Sequence, residues 1–343
     1  MKPKYPKSDA VKAVVAEYPG FPSRTLARML VDKHPGLFTG VEDARSIVRI
    51  YRGANGDRLR KDFPGFKHLR REFGSTSDGV YPLPDPIADR TTEWKVRKLE
   101  FDRCFLLSDV HVPFHDRAAV ETAFAHAKAM KPDLVLLDGD FADFYSVSFF
   151  DKDPRRRFRL ADEIEWVKTF LEFTRDTFPK AKIVAKEGNH EERLARNIWK
   201  DAPDLACVRL PDGSPCVDLG VLLDYDGFGI EGVGNKQPVL LGEHLYVLHG
   251  HEFRAPMTNP VNPARGLFLR TKTNAICGDM HQTSQHTESG LDHTISTWSI
   301  GCLCNLRPAY MPLNKWNHGF AMVESHRGNW SVVNHKIISG KVV

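Results

Sequence analysis

The sequence predicts a layered α/β domain preceded by a small all-α module, and three observations predict it. Over the first sixty residues, amphipathic runs of helical period are separated by Pro-Gly turns. From Arg97 onward, short β-branched and Leu-rich runs alternate with longer amphipathic ones, as layers of strands and helices require. At 343 residues the chain also exceeds the length, ~250 residues, at which a single core stops growing.

The helical module divides into three runs. SDAVKAVVAEY begins at Ser8 and stops at Pro19-Gly20, and SRTLARMLVDKH begins at Ser23 and stops at Pro35-Gly36. A third run starts at Thr39, where Thr39 and Glu42 make a capping-box pattern, and continues through VEDARSIVRIYRG to Gly53. In it Val41, Ala44, Val48 and Tyr51 form the apolar stripe, and Arg45, Arg49 and Arg52 form a basic ridge beside it. The functional expectation is a helix-turn-helix-like module that lays this ridge on nucleic-acid phosphate. A solvated basic face, or a docking element for the catalytic domain, is the plainer alternative.

Charge follows the same division. Residues 1–72 hold 16 Lys/Arg against 8 Asp/Glu, a net of +8, whereas the remainder holds 32 against 36, a net of −4. A basic head on a mildly acidic body suits a polyanion-binding module joined to a metal-binding enzyme. From Phe63 to about Glu93, Pro, Gly and Ser are too frequent for either regular period. The expected division is therefore a helical module over 1–62, a linker or wrapping segment over 63–98 and the α/β domain over 99–343.

No stretch approaches the ~18 consecutive apolar residues of a membrane span, and the start MKPKYPKSDA lacks the apolar core of a signal peptide. A soluble, cytoplasmic protein with no membrane partner is expected. The six cysteines are scattered and read as buried free thiols. Cys302 and Cys304 form a C-x-C in an expected strand, with no second pair nearby to complete a zinc site.

In the α/β region, potential metal ligands recur at the ends of apolar runs. RCFLLSD leads to Asp109 and His111, which strand alternation would place on one side. DLVLLD leads to Asp140 and Asp143, KIVAKE to Asn189 and His190, HLYVLHG to His249, and AICGDMH to Asp279 and His281. Five strand candidates thus deliver Asp, Asn or His at their carboxyl ends, where α/β sheets place ligands.

The ordered blocks DVH, GDFAD, GNHE, HGH and GDMH resemble the signature of the calcineurin-like metallophosphoesterases, D-x-H, G-D-x-x-D, G-N-H-E/D, H and G-H-x-H. The resemblance covers residues 103 to about 283. It implies a four-layer α/β/β/α sandwich with two mixed sheets, and two divalent cations, manganese first, with iron or zinc as alternatives. Asp109, His111 and His281 would hold one cation and Asn189 and His249 the other, with Asp140 bridging. The cation pair would lower the pKa of a bridging water, making hydroxide the nucleophile. His190 would protonate the leaving oxygen, with Asp143 holding its other nitrogen.

One departure is that Asp279 stands where the family has the first His of G-H-x-H. A carboxylate can still bind a hard cation, and His251 is a substitute ligand or substrate contact. Phe144 follows Asp143 where the Ser/Thr phosphatases carry Arg, which disfavours that specificity. The aromatic and basic segment FYSVSFFDKDPRRRFRL, with Arg155 and Arg156, suits a nucleotide or single strand. A solvated Arg cluster at a helix start is its alternative. After His281, TISTWSIGCLC and a hairpin at Arg327-Gly328-Asn329 are expected to complete the second sheet.

The expected function is a phosphodiesterase or nuclease acting on nucleic acid or nucleotides. The alternatives are a phosphomonoesterase on a small molecule or protein, and a nucleic-acid-binding protein whose metal site is impaired by Asp279.

Overall fold

A computed structural model describes residues 6–52, 95–211, 213, 215–253, 261–327 and 329–343 of the chain. The chain divides into two compact units, Met1–Thr91 and Thr92–Val343. Most of the expected linker, residues 63–94, lies outside the described residues, and its last two positions, Arg97 and Lys98, already belong to the first strand.

In the first unit, α1 (Pro6–Glu17), α2 (Ser23–Lys33) and α3 (Val41–Tyr51) enclose a core of their own. Val11, Val14 and Val15 meet Leu26, Ala27 and Leu30, with Ala44 and Val48 closing from α3 and Val41 and Tyr51 at the edge. The starts of α1 and α3 differ from expectation, whereas α2 begins at Ser23 as expected. Ser8 lies inside α1 and its hydroxyl bonds that of Tyr51; Ser23 is the first residue of α2 and makes no cap. At α3 it is Asp43, not Glu42, that reaches back to the Thr39 N–H, at 3.0 Å, because Lys7 of α1 anchors Asp43 at 2.7 Å.

The second unit is built on two mixed sheets. One has seven strands in the order β13-β12-β11-β2-β3-β4-β5, the other six in the order β1-β6-β7-β8-β10-β9. The first comprises β2 (Arg103–Leu107), β3 (Leu134–Asp138), β4 (Lys182–Lys186), β5 (Ile230–Val233), β11 (Gly319–His326), β12 (Asn329–Ile338) and β13 (Lys341–Val342). The second comprises β1 (Arg97–Leu99), β6 (Val239–Leu241), β7 (Leu245–Leu248), β8 (Ala275–Cys277), β9 (Ser284–Ser289) and β10 (Thr294–Ser299).

Strand alternation sorts the apolar side chains into layers. Cys104, Leu106, Leu136 and Val184 point between the sheets, toward Leu241, Val247 and Ile276. Phe105, Leu107, Val135 and Ile183 point outward, against Ala123 and Phe124 of α4 (Arg117–Met130) and Val167 and Leu171 of α5 (Leu160–Thr177). On the far face of the six-stranded sheet, Leu267 of α7 (Pro263–Thr271) packs on Ala275 and Cys277. The order of layers is α/β/β/α, as expected. Burial on both faces explains why β2, β3 and β4 read as continuous apolar runs.

The C-terminal strands depart from expectation. β10 joins β8 in the six-stranded sheet, whereas β11 and β12, paired through His326 and Asn329, join β2 in the other. Regular strand also stops at Ser299, leaving Cys302 and Cys304 on isolated bridges. All six cysteines are free, but Cys207 is exposed rather than buried.

Candidate metal centre

Five strands end at one place. The parallel strands β2, β3 and β4 lead to Asp109 and His111, to Asp140 and Asp143, and to Asn189 and His190. From the facing sheet, the parallel pair β7 and β8 leads to His249 and to Asp279 and His281.

The backbone there is not extended strand. Asp109, His111, Asp140, Asp279 and His281 all have left-handed φ, between 52° and 58°. Asp109 and His111 therefore share the site through two left-handed turns, not through strand alternation. Such geometry costs about 1–3 kcal/mol per side-chain-bearing residue and persists where the surroundings enforce it. Close approach of the loops adds its own demand. A Cβ on Gly139, whose φ is +80°, would lie 2.8 Å from the Gly188 Cα.

Two carboxylates, buried Glu191 and half-buried Glu252, staple these loops together. Glu191 accepts the N–H groups of Asp140 at 2.9 Å, Ala142 at 2.9 Å and Gly188 at 2.7 Å, joining the β3 loop to the β4 loop. Glu252 accepts those of His249 at 3.0 Å and Gly250 at 2.7 Å, and pairs with buried Lys186 at the end of β4, also at 2.7 Å. Burial would raise the Glu252 carboxyl, but Lys186 and His251 outweigh it and lower it to about 2.

Asp140 sits at the middle. Its Oδ2 lies 3.3 Å from His249 Nε2, 3.6 Å from His190 Nε2 and 3.9 Å from His111 Nε2. Asp109 Oδ1 lies 3.1 Å from His281 Nε2 and 3.8 Å from His111 Nε2. Asp279 Oδ1 is 3.9 Å from His249 Nε2, and burial raises its carboxyl to about 6.

Buried atoms of this cluster lack hydrogen-bond partners: Asp109 Oδ1, Asn189 Oδ1 and His249 Nε2. An unpaired buried polar atom costs about 1–3 kcal/mol, so three in one cluster fit a centre completed by cations. Among the described residues three groupings, Asp109-Asp140-His249, His111-Asp143-His190 and His111-His281-Cys304, each bring their ligand atoms within 4.8 Å of one another. The mixture of carboxylate, amide and imidazole suits hard to borderline divalent ions.

Each inward-facing imidazole is backed at its other nitrogen. His249 Nδ1 donates to the Asp138 carbonyl at 2.6 Å, His111 Nδ1 lies 3.2 Å from Asp143 Oδ2, and His281 Nδ1 lies 3.6 Å from Cys304 Sγ. Asp143 is shared, because its carboxylate is also 3.4 Å from His190 Nδ1, while its carbonyl is 3.1 Å from the same nitrogen.

Of the remaining candidates, His251 flanks the cluster, with its ring centroid 5.3 Å from that of His249. His251 Nε2 bonds Asn235 Oδ1, and burial beside His249 lowers the imidazole to about 4. Arg155 pairs with Asp153 at 2.8 Å, and Arg156 stacks over Phe114 at 4.5 Å and Tyr145 at 4.8 Å. In the first unit, Arg45 pairs with Glu42 at 3.1 Å and Arg52 donates to the Pro19 carbonyl at 2.8 Å, while Arg49 is exposed.

Sequence reasoning passed over Arg193, Glu191, Glu252, Cys304 and Trp316. Arg193 Nη1 donates to the Asp143 carbonyl at 2.9 Å and Nη2 to His190 Nε2 at 2.7 Å. Its signal is the three-residue spacing from His190 into α6 (Glu192–Asp201). Glu191 stands in the GNHE block itself and Cys304 in the C-x-C set aside for want of a second pair, while Trp316 carries no motif.

The family model for calcineurin-like phosphoesterases matches residues 103–274. The Gene 54 protein of Mycobacterium phage L5 is 27% identical over 232 residues, covering 64% of this chain and 88% of the relative. Its counterpart in phage D29 is 29% identical over 232 residues, with coverage of 64% and 88%. Among solved structures, Vps29 from Entamoeba histolytica complexed with zinc is 11% identical, with a TM-score of 0.37 and coverage of 70% of this chain and 96% of that one. A dimetal phosphatase from Danio rerio is 13% identical, with a TM-score of 0.34 and coverage of 68% and 95%. Among the described residues, no helix is long and apolar enough to cross a membrane.

Proposed function

The chain belongs to the calcineurin-like phosphoesterases, and from that premise we propose that this metal-dependent phosphoesterase is a phosphodiesterase acting on nucleic acid or nucleotides. The observation that carries the metal-dependent reading is the convergence of Asp109, Asp140 and His249, whose ligand atoms all lie within 4.8 Å of one another, together with buried atoms of Asp109, His249 and neighbouring Asn189 that have no hydrogen-bond partner among the described residues. Asp109, His111 and His281 would hold one cation and Asn189, His249 and Asp279 the other, with Asp140 placed between the two sets. The asymmetry of charge, +8 over residues 1–72 against −4 beyond, supports a polyanionic substrate.

Bound there, the two divalent cations supply an activated water and draw charge from the phosphoryl oxygens. The protein's side chains do the rest. His190 stands beside Asp140 and delivers the proton to the leaving oxygen through Nε2. With Arg193 donating into Nε2, that nitrogen is an acceptor and the proton resides on Nδ1, against Asp143. The guanidinium must therefore leave Nε2, and that nitrogen must take up a proton from solvent to give an imidazolium held by Asp143 and Asp140, before His190 can act as an acid; a substrate phosphate is a suitable acceptor for the freed fork.

Parallel assays on bis-p-nitrophenyl phosphate, p-nitrophenyl phosphate and labelled single- and double-stranded DNA, each with added Mn²⁺, test the proposal. Faster hydrolysis of the diester and cleavage of DNA are expected. Preference for the monoester would discard the diesterase reading.

A further inference from the structure

Of the three backed imidazoles, two meet oxygen acceptors, the usual partners of a histidine that binds a metal through its other nitrogen. His281 meets sulfur instead. We propose that Cys304 is the positioning residue of His281: its sulfur accepts the Nδ1 proton and thereby holds Nε2, lone pair inward, for one of the two cations.

Several observations carry this. His281 Nε2 faces the centre, 3.1 Å from Asp109 Oδ1 and 3.3 Å from His111 Nε2. A cation at Nε2 needs the lone pair there, so the ring proton must reside on Nδ1, where Cys304 Sγ lies at 3.6 Å. The ring is not free to seek another acceptor. Trp316 covers its face with centroids 4.2 Å apart, and the His281 carbonyl accepts the Asn317 N–H at 2.9 Å.

Cys304 is held in turn. It is buried, it bridges to His115, and its carbonyl accepts His318 Nε2 at 2.9 Å. Cys302 shares the pocket and also interacts with the His281 ring, but its thiol donates to the Asn317 carbonyl at 3.6 Å, whereas it is the Cys304 sulfur that meets Nδ1 in hydrogen-bonding geometry. His281 and its supporting residues 302–317 lie beyond the matched span 103–274, so this support is read from this chain's own packing.

The inference rests on His281 being a cation ligand, and the test separates the two claims. The full chain, stripped with chelator, is titrated calorimetrically with Mn²⁺ in five forms: wild type, Cys304→Val, Cys304→Ser, Cys302→Ala and His281→Ala. Valine fills the volume of the thiol without an acceptor. It should weaken one of two binding events by about 10–100-fold and leave the other unchanged. Serine, whose hydroxyl accepts the same proton, should recover most of that loss, and Cys302→Ala should match wild type.

Wild-type affinity in Cys304→Val, no recovery in Cys304→Ser, or an equal loss in Cys302→Ala would each overturn the positioning role. Loss of one event in His281→Ala without loss in Cys304→Val defeats this inference alone. Two intact events in His281→Ala defeat the reading of His281 as a ligand.

Discussion

His190 and His111 lie with ring centroids 4.3 Å apart at the centre, yet Asp143 and Arg193 give them different tasks. For His190, the proton-donor role predicts that His190→Ala lowers turnover by about 10²–10⁴-fold while metal content stays near wild type. Full activity of the variant on a substrate with a poor leaving group would contradict it. For His111, burial opposes the charge, but Asp109, Asp143 and Asp140 outweigh burial and raise the metal-free imidazole from 6.5 to about 9. A folded pKa above the unfolded one stabilises fully below pH 6.5, and that contribution is lost as pH climbs through 9, on the order of 1–3 kcal/mol. Cations compete with the same proton, so their contribution must grow over that interval. The chelated protein should melt at a lower temperature at pH 9 than at pH 6.5, the increment on adding Mn²⁺ should be larger at pH 9, and His111→Gln should flatten the metal-free trend. A metal-free melting temperature equal in wild type and His111→Gln across this range would refute the assignment.

Between strand and ligand lie the loops, and there the sequence was least legible. The strands themselves could be read, because β2, β3 and β4 are apolar on both faces and each stops at an Asp or Asn block. The left-handed turns at Asp109 and His111 could not, because φ leaves no periodic trace in a run that looks extended. Caps failed for a related reason: whether Glu42 or Asp43 reaches back depends on Lys7, a residue of another helix. Nor does local pattern say that β10 and β11 enter different sheets, which is decided by pairing with β8 and β2. Glu191 was visible in the GNHE block, but its work is joining two loops, which only the fold reveals. Glu191→Gln keeps the volume but sets an amide N–H against a backbone N–H, at a cost of about 1–3 kcal/mol. The expected outcome is a melting temperature lower by roughly 2–4 °C per kcal/mol and reduced Mn²⁺ content at equal fold. Unchanged metal content would show that the staple supports the loops without setting the site.

At the scale of the whole molecule, a helical unit with its own core is joined to a sandwich that carries the chemistry, and the net charge of +8 over residues 1–72 invites a nucleic-acid role for the first. The basic ridge of α3 is not uniform, however. Arg52 spends its guanidinium on the Pro19 carbonyl and the Ser23 hydroxyl, closing the turn between α1 and α2, and Arg45 is paired with Glu42. Arg49, exposed on the same helix, has no ion pair among the described residues and is the ridge member on which a phosphate contact is tested. If the unit binds duplex DNA, Arg49→Ala should weaken binding across sequences and reduce the salt slope by about one, as expected for one lost phosphate contact. Arg52→Ala should instead lower the stability of the helical unit and change the slope little. Fluorescence titrations of the full-length variants at several salt concentrations separate the two, and an Arg49→Ala slope equal to wild type would make the ridge a solvated or docking face.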